Sequence, residues 1–166
     1  MAFGCVRTDN MSGTTLGKDL VSLRYFDKSG KEAEIENGCV VLIGEYLEGQ
    51  REVRKATDVA KNSPLNKVAL VASEEVDKAK SYNALSEFKN KAGADVRGYR
   101  VGCPANCFSV TKECFVAGGH FAVGAIVELA DGNKFAVVES ATSGSTKVGV
   151  ITAVEDMWYV VEVDAE

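Results

Sequence analysis

Residues 125–140 read AIVELADGNKFAVVES. Two β-prone runs, AIVELA and KFAVVES, flank Asp131-Gly132-Asn133, and an Asp-Gly pair tolerates the positive φ that a tight hairpin turn demands. The stretch is therefore predicted as an antiparallel hairpin. Working outward, ATSGS at 141–145 reads as a loop. TKVGVITAVE then alternates, with Val148, Val150, Thr152 and Val154 on one face, and the strand MWYVVEVD follows. Four consecutive β-prone segments joined by short turns predict an antiparallel meander that curls into a small barrel or sandwich within residues 95–166. Gly149, inside a strand, fits the sharp bend such a barrel needs.

The pattern upstream is also strand-like. LRYFD, a KSG turn, KEAEIE, an NG turn and CVVLIGEY succeed one another from Leu23, and LEGQ makes a further turn before REVRKATDV. KVALVA adds another Val-rich strand, so residues 23–72 are predicted to be strands. Between the two β regions one helix is expected at about 74–92. Ser73 can cap it, Glu74 and Glu75 suit its first turn, and Gly93 can end it. Val76, Ala79, Tyr82, Leu85 and Phe88 recur at near-helical spacing and are expected to face the core. The predicted fold is thus mainly β with one central α-helix, an α+β body over 23–166.

Residues 1–22 show neither periodicity. They are rich in Gly, Ser, Thr and Asn, and cannot bury enough apolar surface alone to offset their ordering entropy. They read as an extended N-terminal arm. Its spaced side chains, Phe3, Val6, Arg7, Met11 and Leu16, are the candidate partner-binding residues.

Composition narrows the function. Apolar residues make up 46% of the 166-residue chain and charged residues 26%, a globular balance for one domain or one domain plus an arm. No run approaches the roughly 20 apolar residues of a membrane-spanning helix, so no membrane partner is expected. The N-terminus lacks the apolar core of a secretory signal, and five irregularly spaced cysteines fit reduced thiols better than a disulfide framework. The formal charge of −5, with lysines scattered among acids, argues against a nucleic-acid partner.

Three stretches suggest chemistry. Cys103, Cys107, Cys114 and His120 have the count and ligand types for tetrahedral zinc. Read as one strand, however, FSVTKECFV carries Cys114 too far from Cys107 for one ion, so no metal is expected. SGTTLGKD at 12–19 lacks the glycine spacing and the final hydroxyl of a phosphate loop. His120, in AGGHFAVG, has no nucleophile in an elbow setting nearby. Neither an enzyme nor a cofactor is expected.

VRTDNMSGTT, NGCVVLIGEYLEGQREVRKA, KAGADVRGYRVGCPANCFSVT and ATSGSTKVGVITAVE together resemble small structural proteins of tailed bacteriophages, those encoded beside the major capsid protein. The resemblance spans residues 6–163. It implies a virion component: a capsid decoration (cement) protein that stabilises the shell by binding between major capsid protein subunits, with self-association on the capsid as a further expectation. Two alternatives stand beside it, a tail, baseplate or head-fibre component and a small β-barrel binding module with a structural zinc site.

Overall fold

The structure is a computed structural model that describes residues 2–8, 11, 19–75, 85–102 and 107–163. Ten strands account for most of the regular structure among them. Five come from the first part of the chain: β1 (Leu20–Tyr25), β2 (Val40–Tyr46), β3 (Val53–Asp58), β4 (Val68–Val71) and β5 (Val96–Arg100). They close into a barrel in the order β1-β3-β2-β4-β5. The pairing of β1 with β3 is parallel, with Leu23 opposite Arg54, and the other pairings are antiparallel.

The remaining strands are β6 (Cys107–Val110), β7 (Ile126–Ala130), β8 (Lys134–Val138), β9 (Lys147–Glu155) and β10 (Trp158–Val163). They form a five-stranded antiparallel sheet in the order β6-β10-β9-β7-β8. The hairpin of residues 126–138 is present, with Leu129 opposite Phe135. The barrel, however, lies in residues 20–100. The C-terminal meander expected to curl up is instead the sheet that packs against it.

That arrangement explains the apolar run of β4. Ala69 and Val71 point into the barrel, joining Leu23, Ile35, Val41, Ile43, Ala56 and Val96. Val68 and Leu70 point outward into a second core shared with Val127, Leu129, Phe135, Val148, Ile151 and Val161 of the sheet. A strand buried on both faces has no place for polar alternation. On the sheet side, Phe108 stacks on Phe135 at 5.5 Å, and Phe115 meets Phe121 edge-on at 5.2 Å.

The central helix expected at about 74–92 is overturned. Among the described residues no helix reaches seven residues, and the nearest element is a single 3-10 turn, Leu85–Glu87. The flanks are committed elsewhere. Ser73, the expected cap, donates its N–H to Asn37 Oδ1 at 3.0 Å, and its hydroxyl accepts from the Arg97 N–H at 3.1 Å. Asn90 exchanges backbone hydrogen bonds with Ile35 at 2.9 and 3.1 Å. Val76, Ala79 and Tyr82 of the apolar stripe lie outside the described residues.

Two strand readings also change. FSVTKECFV is not one strand: β6 stops at Val110, and Lys112–Cys114 is a 3-10 turn that tucks Cys114 into the core. In β9, Val148 and Ile151 are fully buried whereas Val154 is exposed. Register shifts against both neighbours interrupt the alternation, and each extra residue turns the following side chains to the other face. Gly149 sits at this distortion because a Cβ there would collide with the Glu162 carbonyl oxygen.

Candidate interaction surface

The N-terminal residues are docked on the body. Val6 pairs antiparallel with Val110, the Arg7 N–H donates to the Ser109 carbonyl at 2.9 Å, and the Thr111 N–H donates to the Cys5 carbonyl at 3.1 Å. Cys5–Arg7 therefore extends the sheet beyond β6. Val6 and Met11 are each 6% exposed, within the same core cluster as Phe108 and Val110. Phe3 is half-buried, with the Lys89 ammonium 5.3 Å from its ring centroid. Leu16 lies outside the described residues. Of the candidate partner contacts, Val6 and Met11 are turned inward, and Arg7 is the one directed at a surface feature. Removing residues 1–20 would take two side chains out of the core as well as an appendage off the surface.

That surface feature is the end of the β9–β10 hairpin. β9 is nine residues long and outruns β7, whose pairing with it ends at Ile126 opposite Val150. The overhang, closed by Asp156 at φ 58°, exposes Val154 and Met157, at 43% and 55%. Trp158, the only tryptophan, is half-buried beside them. The Arg7 guanidinium lies 5.8 Å from the Trp158 ring centroid and 3.7 Å from the Glu155 carboxylate. Glu155 and Trp158 form the closing pair on the face opposite Val154 and Tyr159, so the end of the hairpin carries the exposed apolar groups Val154 and Met157 together with the charges of Arg7, Glu155 and Asp156, a mixture of the kind found at protein contacts.

The polar cluster at the seam between barrel and sheet is of another kind. Tyr25 donates its hydroxyl proton to Asp58. The Asn133 amide donates to Asp58 Oδ1 at 2.8 Å and to the Tyr25 oxygen at 3.1 Å, while its own oxygen accepts from the Val59 N–H at 2.9 Å. A shallow groove of ≈280 Å³ beside it is lined by Tyr25, Ile35, Cys39, Lys89, Asn133 and Lys134 among others. Its rim charges are bonded within the fold: Lys89 to Glu34 at 2.7 Å, and Lys134 to the Glu113 carbonyl at 2.8 Å. Burial pushes the Cys39 thiol up to about 11 and raises Tyr25 as well, so both stay protonated at neutral pH. A protonated thiol is a poor nucleophile. The cluster fastens the 131–133 turn onto the barrel.

The described cysteines behave alike. Cys114 is enclosed, its thiol directed at the Cys5 carbonyl at 3.7 Å, and burial raises it strongly. Burial also raises Cys5 and Cys107. Among the described residues no three His, Cys, Asp or Glu side chains gather closely enough to hold a metal ion, and Cys103 lies outside those residues. His120 is an exposed loop residue next to Phe121, which anchors the loop 5.0 Å from Tyr159.

The hairpin tip was legible only in part. Alternation groups Val154 with Val148, Val150 and Thr152 on one face; Val154 is exposed because β9 runs beyond its pairing with β7. The Met157–Trp158 pair carried no signal that separated it from an ordinary strand. Comparisons with protein-family models, with curated proteins and with solved structures return no match for this chain.

Proposed function

We propose that the chain is a non-enzymatic structural protein that works by adhesion, using the β9–β10 tip as its contact surface. The observation that carries this reading is the pair Val154 and Met157, exposed at 43% and 55% at the end of a hairpin that runs beyond β7. Large apolar side chains on a monomer's surface are costly in water and become favourable when a partner covers them. The tip is rigidly presented, because its strands continue into the centre of the sheet.

The partner proposed is the major capsid protein of a tailed bacteriophage, with this chain as a decoration protein seated between its subunits on the virion. The support is the resemblance of residues 6–163 to such proteins, and a compact β body with a projecting adhesive end suits that task. The test is co-sedimentation of purified protein with assembled capsids lacking it. Wild type is expected to bind, and Val154→Asp and Met157→Asp to lose at least tenfold in affinity while remaining folded. Binding that is indifferent to both substitutions would remove the tip from the account. No binding by wild type would remove the capsid.

A further inference from the structure

Four large apolar side chains are exposed among the described residues: Tyr46, Val123, Val154 and Met157. Of these, Met157 alone carries a sulfur atom, and a thioether is the one group in the set that a hydroperoxide converts into a polar one. Met157 lies in the turn between the paired residues Glu155 and Trp158 and is 55% exposed. A reagent dissolved in water reaches this side chain with no opening of the fold.

Met11 is the opposite case. It is 6% exposed, belongs to the core shared by barrel and sheet, and borders a cavity of ≈10 Å³ with Leu70, Tyr99 and Phe108, room for about one water. Its oxidation waits on local unfolding. Met1, the remaining methionine, lies outside the described residues. The described thiols are protected in another way. Burial holds Cys5, Cys39, Cys107 and Cys114 in the protonated form, whereas the thiolate is the form that reacts.

We infer that Met157 is an oxidation site that controls the tip: a hydroperoxide converts its thioether to the sulfoxide, and the oxidised tip releases its partner. A sulfur lone pair attacks one peroxide oxygen, the O–O bond breaks and an S–O bond forms. The hydroxyl proton passes to the departing hydroxide, which leaves as water. Sulfur loses two electrons and the peroxide gains them. The inference rests on the tip being the contact surface. There the unbranched, polarisable thioether moulds itself to a partner, and the sulfoxide puts in its place a polar group that must shed water to be covered. Because the side chain projects into solvent, the fold does not depend on its oxidation state.

The experiment treats the full-length protein with dilute hydrogen peroxide, maps the products by mass spectrometry, and measures co-sedimentation with assembled capsids. Met157 sulfoxide should form at least about tenfold faster than Met11 sulfoxide, because only the latter needs the core to open. Conversion of Met157 should weaken capsid binding by about tenfold, the equivalent of one lost apolar burial. The urea midpoint should not move. The two methionine sulfoxide reductases, one for each epimer, should restore binding. Met157→Leu keeps all five cysteines and the other two methionines, and it should bind capsids and be indifferent to peroxide. Equal rates at Met157 and Met11 overturn the inference. So does full conversion of Met157 with binding intact, or a Met157→Leu protein that loses binding as wild type does. Wild type that fails to bind capsids before any treatment overturns the capsid reading, and with it this control of capsid binding.

Discussion

The Arg7 guanidinium sits over the Trp158 ring, 5.8 Å from its centroid, and so ties the docked N-terminal segment to the closing pair of the exposed hairpin, Glu155 and Trp158. Because Trp158 is the only tryptophan, its fluorescence reports on the surroundings of this one site. Arg7→Ala should shift the emission to the red. The stability cost should be small, about 1 kcal/mol in urea denaturation, since a solvent-exposed cation–π contact contributes about 0.5–1 kcal/mol and the ion pair with a 61% exposed Glu155 adds little. An unchanged spectrum would mean that the segment does not hold the hairpin.

The same segment is load-sharing in the core. Val6→Ala removes two buried methyl groups and leaves a cavity, which should cost about 1.5–3 kcal/mol. Val123→Ala removes the same groups from a side chain 64% exposed and should stay within about 0.5 kcal/mol of wild type. Equal midpoints for the two variants in a denaturant titration would show that the N-terminal residues do not belong to the folded unit.

Asn133 does two jobs, and substitution can separate them. Its φ of 65° is a left-handed conformation that Asn and Gly adopt more readily than Ala, and its side chain bonds Val59, Tyr25 and Asp58 across the seam. Asn133→Ala should cost about 3 kcal/mol, from lost buried hydrogen bonds plus backbone strain. Asn133→Gly keeps the backbone free and should cost about 1 kcal/mol less. If glycine proves as destabilising as alanine, the turn's conformation carries no strain for the side chain to relieve.

Local signals located the strands well and their partners poorly. Asp131-Gly132-Asn133 marked its hairpin because the turn chemistry and both strands lie within sixteen residues. The barrel was missed because its closure depends on β1 lying parallel to β3 and antiparallel to β5, pairings that no short window contains. The expected helix failed for the same reason. Ser73 looks like a cap, yet Asn37, a long way upstream, takes its backbone groups, and Ile35 takes those of Asn90. In the N-terminal stretch, sparse apolar residues among Gly, Ser and Thr suggested an arm waiting for a partner. That composition does not reveal that the chain's own β6 provides the edge for Val6. The contact tip was hidden because its exposure depends on where β9 outruns β7, a long-range pairing that alternation within one strand does not report.

Alkaline pH should unfold the protein through its buried acids. Cys39 is held near 11 by burial against an ordinary 9.0, and Tyr25 is raised above its usual 10 by burial and by Asp58. Below pH 9 these groups are protonated in both states and stability does not depend on them. Above it, the unfolded chain loses the Cys39 proton first and binds fewer protons than the native state, so stability falls as pH rises, between about 9 and 11 for Cys39 and above 10 for Tyr25. Urea titrations at stepped pH should therefore show a decline beginning near pH 9. In Cys39→Ala the decline between 9 and 11 should be shallower, and in Tyr25→Phe the one above 10, although the latter variant also loses two hydrogen bonds at neutral pH. The other raised thiols, Cys5, Cys107 and Cys114, keep part of the slope in both variants. A Cys39→Ala curve parallel to wild type from pH 9 to 11 would show that this thiol is solvated in the native protein and that the seam beside it is open to water.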